Sequence, residues 1–205
     1  MIDFEKLETF LPRYLSDETA QKLLGDLSEF PENIDQRMYG FIGKNSSTIY
    51  QGDGINGLPI INLPDSRIEY KHAMILSNTC DADLSNIRKY KTNLIYAPII
   101  SITKYSEFLI KMGIYTENSI EDHLSAIRKQ IITQIFYLPI GQGIEEESLI
   151  FLDRILNCDS AMVKREELES RREFSLSQFG FYLFLYKLSI HFTRMHESVD
   201  RLYMN

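Results

Sequence analysis

The stretch AMILSNTCDAD, Ala73 to Asp83, gathers residue types that do chemistry. Ala73 to Leu76 reads as a buried strand, and it ends abruptly in Ser77, Asn78, Thr79, Cys80, Asp81 and Asp83. Such side chains at a strand end have two uses. Asn78, Thr79 and Asp81 can hydrogen-bond the amides of a turn, with Cys80 as a small buried filler. Alternatively they floor a site, where a thiol could act as nucleophile if a base stood nearby.

A second group, Arg88, Lys89 and Lys91 with Tyr90 among them, interleaves bases with an aromatic ring. That combination suits phosphate contact and base stacking, but so small a run reads first as a solvated loop. The run KREELESRRE, Lys164 to Glu173, carries mixed charges at helical spacing and reads as an exposed helix face.

Other chemistries are poorly served. Cys80 and Cys158 are too few for a disulfide framework and suit reduced thiols in a cytoplasmic protein. There is no CxxC or HExxH motif, and His191 and His196, five apart, diverge on a helix. No metal and no cofactor are expected. The net charge of −7 is uneven. Residues 1–35 hold nine acids and three bases, whereas residues 36–104 hold eight bases and five acids. Net acidity argues against general nucleic-acid binding while leaving room for a local basic patch.

The elements that must position these residues follow from periodicity. Residues 1–35 read as helical, with Ser16 or Asp17 as a cap before Leu23, Leu24 and Leu27. From Tyr39 onward, short apolar runs among glycines and prolines read as strands and turns. NLIYAPIISI supplies a longer buried strand. Residues 104–133 return to helix, with Asn118 or Ser119 as cap and an apolar stripe of Ile120, Leu124, Ile127 and Ile131. QIFYLPIGQGIEEESLIFLDRIL is strand-like around its GQG turn. The last segment is a helix apolar almost all round from Phe179 to Phe192, which suits a core or dimer helix better than a membrane span.

Four of these segments, in order, resemble the PemK/MazF family of bacterial toxins. They are YQGDGINGLP with Gln51, Gly52 and Asp53, KHAMILSN from Lys71 to Asn78, IYAPII from Ile95 to Ile100, and ESLIFLDRILNCD from Glu147 to Asp159. The resemblance covers residues 48–102 and 134–160. It implies an α+β fold: an SH3-like antiparallel β-barrel with added N-terminal, inserted and C-terminal helices. The corresponding divisions are a helical addition over 1–38, the barrel over 39–160 with an insertion near 104–133, and a helical segment over 161–205. One curved antiparallel sheet is expected for the barrel segments.

The family cleaves single-stranded RNA without a metal, using an arginine before the second strand and a hydroxyl after the third. Here those positions fall on Lys71, followed by His72, and on Ile100, with Ser101 and Thr103 close by; Arg154 stands at the later arginine position. Lysine keeps the charge but loses the planar fork, and one lost donor typically costs about a hundredfold to a thousandfold in rate. The resemblance therefore implies a degenerate site turned to nucleic-acid or protein binding. An active endoribonuclease using Lys71 with Ser101 or Thr103 as the hydroxyl, or a protein-interaction module, is the alternative. In that setting Cys80, Asp81 and Asp83 would line a pocket with Lys71 and His72, the one base within reach of the thiol. Candidate binding residues are His72, Asn78, Thr79, Cys80, Asp81, Asp83, Arg88, Lys89 and Lys91. Implied partners are a second copy through the C-terminal helix, an antitoxin and single-stranded RNA, in the cytoplasm and away from any membrane.

Overall fold

The computed structural model describes residues 37–41, 47–83, 85–86 and 89–193, with Glu18, Gly25 and Glu29. The expected N-terminal helical addition, Arg88 and the end of the chain lie outside the described residues.

The fold is α+β, and every strand pair among the described residues is antiparallel. Strands β1 (Tyr39–Gly40), β2 (Gly54–Asn62), β3 (Asp65–Ile75), β4 (Asn93–Pro98), β8 (Leu156–Asp159) and β9 (Arg172–Leu176) form one sheet in the order β1-β9-β2-β3-β4-β8. Strands β5 (Ile100–Ser101), β6 (Ile135–Leu138) and β7 (Ser148–Phe151) form a second in the order β5-β7-β6. The single sheet expected from the sequence is thus two. The chain passes between them at Ile99, whose amide donates to the His72 carbonyl at 3.0 Å before β5 turns to β7.

The apolar runs are continuous, not alternating, because the central strands are covered on both faces. Ala73 and Ile75 of β3 and Leu94 and Tyr96 of β4 enter a small core with Leu58 and Val163. Met74, Leu76 and Ala97 point the other way, into a larger core with Phe136, Leu149 and Phe184. Two helices of the insertion cap that second core. Helix α2 (Ile102–Met112) starts at Ser101 and stops at Gly113, whose φ of 67° is costly for any residue with a Cβ. Helix α3 (Glu117–Arg128) is capped by Thr116, which accepts from the Ser119 amide at 3.2 Å, and not by Asn118 or Ser119. Ile120, Leu124 and Ile127 are buried as expected, but Ile131 lies beyond the helix end and is 58% exposed.

Helix α5 (Gln178–Thr193) closes the larger core. Phe179, Tyr182, Leu183, Phe184 and Tyr186 are all buried by their own chain, so the apolar surface that suggested a dimer contact here is largely covered. Gly180 lets the helix approach β1: a Cβ there would lie 2.2 Å from the Met38 carbonyl oxygen. No helix among the described residues is long and apolar enough to cross a membrane.

Lys187 is buried in this helix, at 3% exposure. Its ammonium donates to the carbonyls of Gln130, at 2.8 Å, and Ile132, at 2.5 Å. Gln130 is itself held by Tyr137, donating to its carbonyl at 2.9 Å and accepting from its amide at 3.1 Å. The lysine therefore ties α5 to the turn between α3 and β6. Burial pulls its pKa down from 10.5 to about 7. Below pH 7 the lysine is charged in both the folded and the unfolded chain. Above it the unfolded chain holds a proton that the folded chain has released, so stability rises with pH. Lys187→Met should flatten that rise between about pH 7 and 9, an effect on the order of a few kcal/mol, measured by urea unfolding at each pH.

Candidate functional site

The polar end of β3 first satisfies its own backbone. The Ile95 amide donates to Ser77 Oγ at 2.7 Å, replacing a ladder bond as the strand ends. Thr79 Oγ1 accepts from the Gln51 amide at 3.1 Å, and Gln51 Nε2 donates to the Leu76 carbonyl at 2.8 Å. Asn78 Oδ1 accepts from the Cys80 amide at 2.9 Å and so caps the single turn α1 (Thr79–Ala82). Asp83 Oδ1 accepts from the Ser85 amide at 2.9 Å, which holds its carboxyl below the usual range. These bonds join the loop to the Tyr50–Asp53 turn and to β4.

The same loop forms one wall of an open groove of about 550 Å³. Leu76 and Ser77 lie at its base. Asn78 and Asp81 of the loop line it together with Tyr90, Lys91, Thr92 and Asn93, and Ile95 and Asn157 complete the lining. Asn93 Nδ2 donates to Asn157 Oδ1 at 3.0 Å across the β4–β8 pair. Lys91 Nζ lies 3.4 Å from Asp159 Oδ2 with 86% of its side chain exposed. Asp159 sits below its ordinary pKa, chiefly through the Ala161 amide and then through Lys91. The groove thus offers an exposed tyrosine ring, an exposed cation and several amides that both donate and accept.

Of the expected binding residues, Asn78, Asp81 and Lys91 line this groove, and Thr79 braces its wall. Cys80, Asp83 and Lys89 do not line it. Lys71 lies outside too, paired with Glu69 on β3. Ser101 is buried; its hydroxyl donates to Glu146 Oε2 at 2.7 Å and accepts from the Lys104 amide at 3.4 Å. Neither partner of the expected Lys71–Ser101 pair is a partner of the other. Thr103 is exposed in the first turn of α2. The Arg154 guanidinium lies 4.1 Å over the Phe151 ring.

His72 makes a contact that no local motif announces. Its Nδ1 lies 2.5 Å from Glu173 Oε1 of β9, and 54% of its side chain is exposed. A carboxylate on Nδ1 fixes the ring and leaves Nε2 pointing elsewhere. Because neighbouring residues on a strand face opposite sides, His72 and Lys71 do not share a face. Sequence reasoning also missed Asn93 and Asn157. Both are exposed positions flanking buried Leu94 and Cys158, so the period-2 alternation of β4 and β8 was the signal available. Among the described residues no cluster of His, Cys, Asp or Glu could hold a metal ion.

Comparison with known protein families gives no match to this chain, and comparison with curated proteins gives none either.

The two thiols differ in access. Cys80 is exposed on α1, whereas Cys158 is buried in the smaller core, which pushes its thiol pKa up. A thiol reagent should therefore label one cysteine per native chain rapidly and the second only on unfolding. Cys80→Ser should remove the fast reaction completely.

Proposed function

We propose that the protein is a cytoplasmic binder of single-stranded nucleic acid, RNA in the first instance, that uses the groove between the β3 end and the β4–β8 pair. The observation that carries this is that exposed Tyr90 and Lys91 line one groove together with Asn78, Asn93 and Asn157. An aromatic face stacks a base regardless of its identity, a cation tracks the backbone phosphate, and amides meet base edges. The strand order supports an SH3-like barrel of PemK/MazF type as the frame. Strands β2, β3, β4 and β8 follow one another, a 3₁₀ turn at Ser160–Met162 follows β8, and β9 returns to pair with β2 around the smaller core. A degenerate cleavage site fits the engagement of Lys71 with Glu69 and of Ser101 with Glu146.

Fluorescence anisotropy with a labelled single-stranded RNA tests this. Tyr90→Ala or Lys91→Glu should weaken binding by about tenfold or more, since stacking one base contributes about 1–3 kcal/mol. Lys71→Ala should bind as the parent does, and the RNA should stay intact in EDTA. No binding by the parent protein, or equal binding by all variants, overturns the proposal.

The His72–Glu173 pair favours a second reading, metal-independent cleavage with His72 as general base and Glu173 as its orienting group. Cleavage in EDTA that is lost in His72→Ala and kept in Lys71→Ala would establish it over simple binding.

A further inference from the structure

The β2–β3 hairpin projects from the sheet with unpaired edges. Strand β3 pairs with β4 only at Ala73, Met74 and Ile75, and residues 62–72 are all exposed. The outer edge of β3 from Ser66 to Tyr70 therefore has no neighbour among the described residues. Its polarity follows from two bonds. The Gly52 amide donates to the Ile75 carbonyl, so Ile75 faces β2, while the Ile99 amide donates to the His72 carbonyl, so His72 faces outward. Alternation along the strand turns the amides and carbonyls of Ile68 and Tyr70 outward as well. The β2–β3 register shifts twice: opposite His72, where Ile55 pairs with Ala73 and Leu58 with Lys71, so that the extra residue lies on β2 and the alternation of β3 is kept, and near the tip, where Asn62 pairs with Asp65 and Ile61 already pairs with Ile68.

An open edge of this kind invites a second strand, and charges on it usually deter one. Here the charges alternate in sign: Asp65, Arg67, Glu69 and Lys71. They now pair within the strand, Arg67 Nη2 with Asp65 Oδ2 at 2.6 Å and Lys71 with Glu69. The order is also self-complementary. If two copies of the edge run antiparallel with Ile68 opposite Ile68, each Arg67 meets a Glu69 and each Lys71 meets an Asp65. The outward amide and carbonyl of Ile68 then form a reciprocal hydrogen-bonded pair at the two-fold axis. A register centred on Glu69 sets like charges opposite each other and inward-facing backbone groups at the edge. One centred on Tyr70 calls on the His72 carbonyl, which Ile99 already occupies. On the opposite face of the hairpin Ile68 and Tyr70 are 55% and 65% exposed, and the pairing would set each Ile68 against its symmetry mate.

We infer that the β3 edge is an interaction surface for a second copy of this chain, joined antiparallel about Ile68 to make a continuous four-stranded ribbon. The inference is independent of the nucleic-acid groove, which lies at the other end of β3.

Sedimentation of the full chain at micromolar concentration should give a species of twice the 24.0 kDa chain mass. Arg67→Glu alone and Glu69→Arg alone each place like charges opposite one another twice per dimer, and each should raise the dissociation constant by about tenfold or more. Mixing the two variants restores opposite charges at both positions, so a heterodimer should form that neither variant forms with itself. Because both positions are exposed, each variant's fold is checked by its unchanged circular dichroism and by recovery in the mixture. A monomeric parent protein, a dimer unaffected in both variants, or no association in the mixture would overturn the inference.

Discussion

The Asp53 carboxylate, fully buried, holds the rest of the structure in register. Its Oδ2 accepts from Arg172 Nε and from the Tyr50 amide, each at 3.0 Å, and its Oδ1 accepts from Ser175 Oγ at 2.6 Å. Burial pushes this carboxyl above its ordinary pKa, opposed by the Ser175 hydroxyl and the Arg172 charge. Arg172 also donates to the Thr48 carbonyl. Removing one partner of such a pair typically costs about 3–5 kcal/mol, because the other charge stays buried without compensation.

Both candidate chemistries depend on this junction. It fastens β9 to β2, pairing Phe174 with Gly54 and Arg172 with Ile55, and so sets Glu173 against His72 across 101 residues. The backbone of the same turn bonds to Ile75 in both directions, and the Gln51 amide reaches Thr79 in the groove wall. From β9 the chain enters α5 through Ser177, whose amide donates to the Met38 carbonyl at 2.9 Å, so the larger core is closed from the same point. A second polar junction serves the insertion. Arg128 donates to both oxygens of Glu147, at 2.8 and 2.9 Å, and Tyr137 donates to one of them at 2.7 Å. Arg128, then Tyr137, keeps the Glu147 carboxyl low.

What was legible in the sequence follows the range of the interactions. The apolar runs of β3 and β4, the buried stripe of α3 and the polar end of β3 depend on neighbours within a few residues, and periodicity exposes them. The division into two sheets turns on one residue, Ile99, between two apolar runs that read as one. The charge-rich run 164–173 was the plainest misreading. It reads as a solvated helix, yet it holds a 3₁₀ turn, the short helix α4 (Leu168–Arg171) and the first residues of β9. Three of its arginines turn inward: Arg165 to the Ala82 carbonyl, Arg171 to the Asn56 and Gly57 carbonyls, and Arg172 to Asp53. An arginine that satisfies distant carbonyls has the same local signature as one in water. The groove was half legible: Asn78, Asp81 and Lys91 stood out by type, but only the β4–β8 pairing brings Asn93 and Asn157 beside them.

Amide hydrogen exchange in Arg172→Lys tests the central role of this junction most directly, since lysine keeps the charge and loses the fork that reaches both Asp53 and Thr48. Exchange should quicken together in β9 and in residues 76–83, while β6 and β7 keep their parent rates. Faster exchange confined to β9, with residues 76–83 unchanged, would contradict the dependence of the groove on the buried Asp53–Arg172 pair.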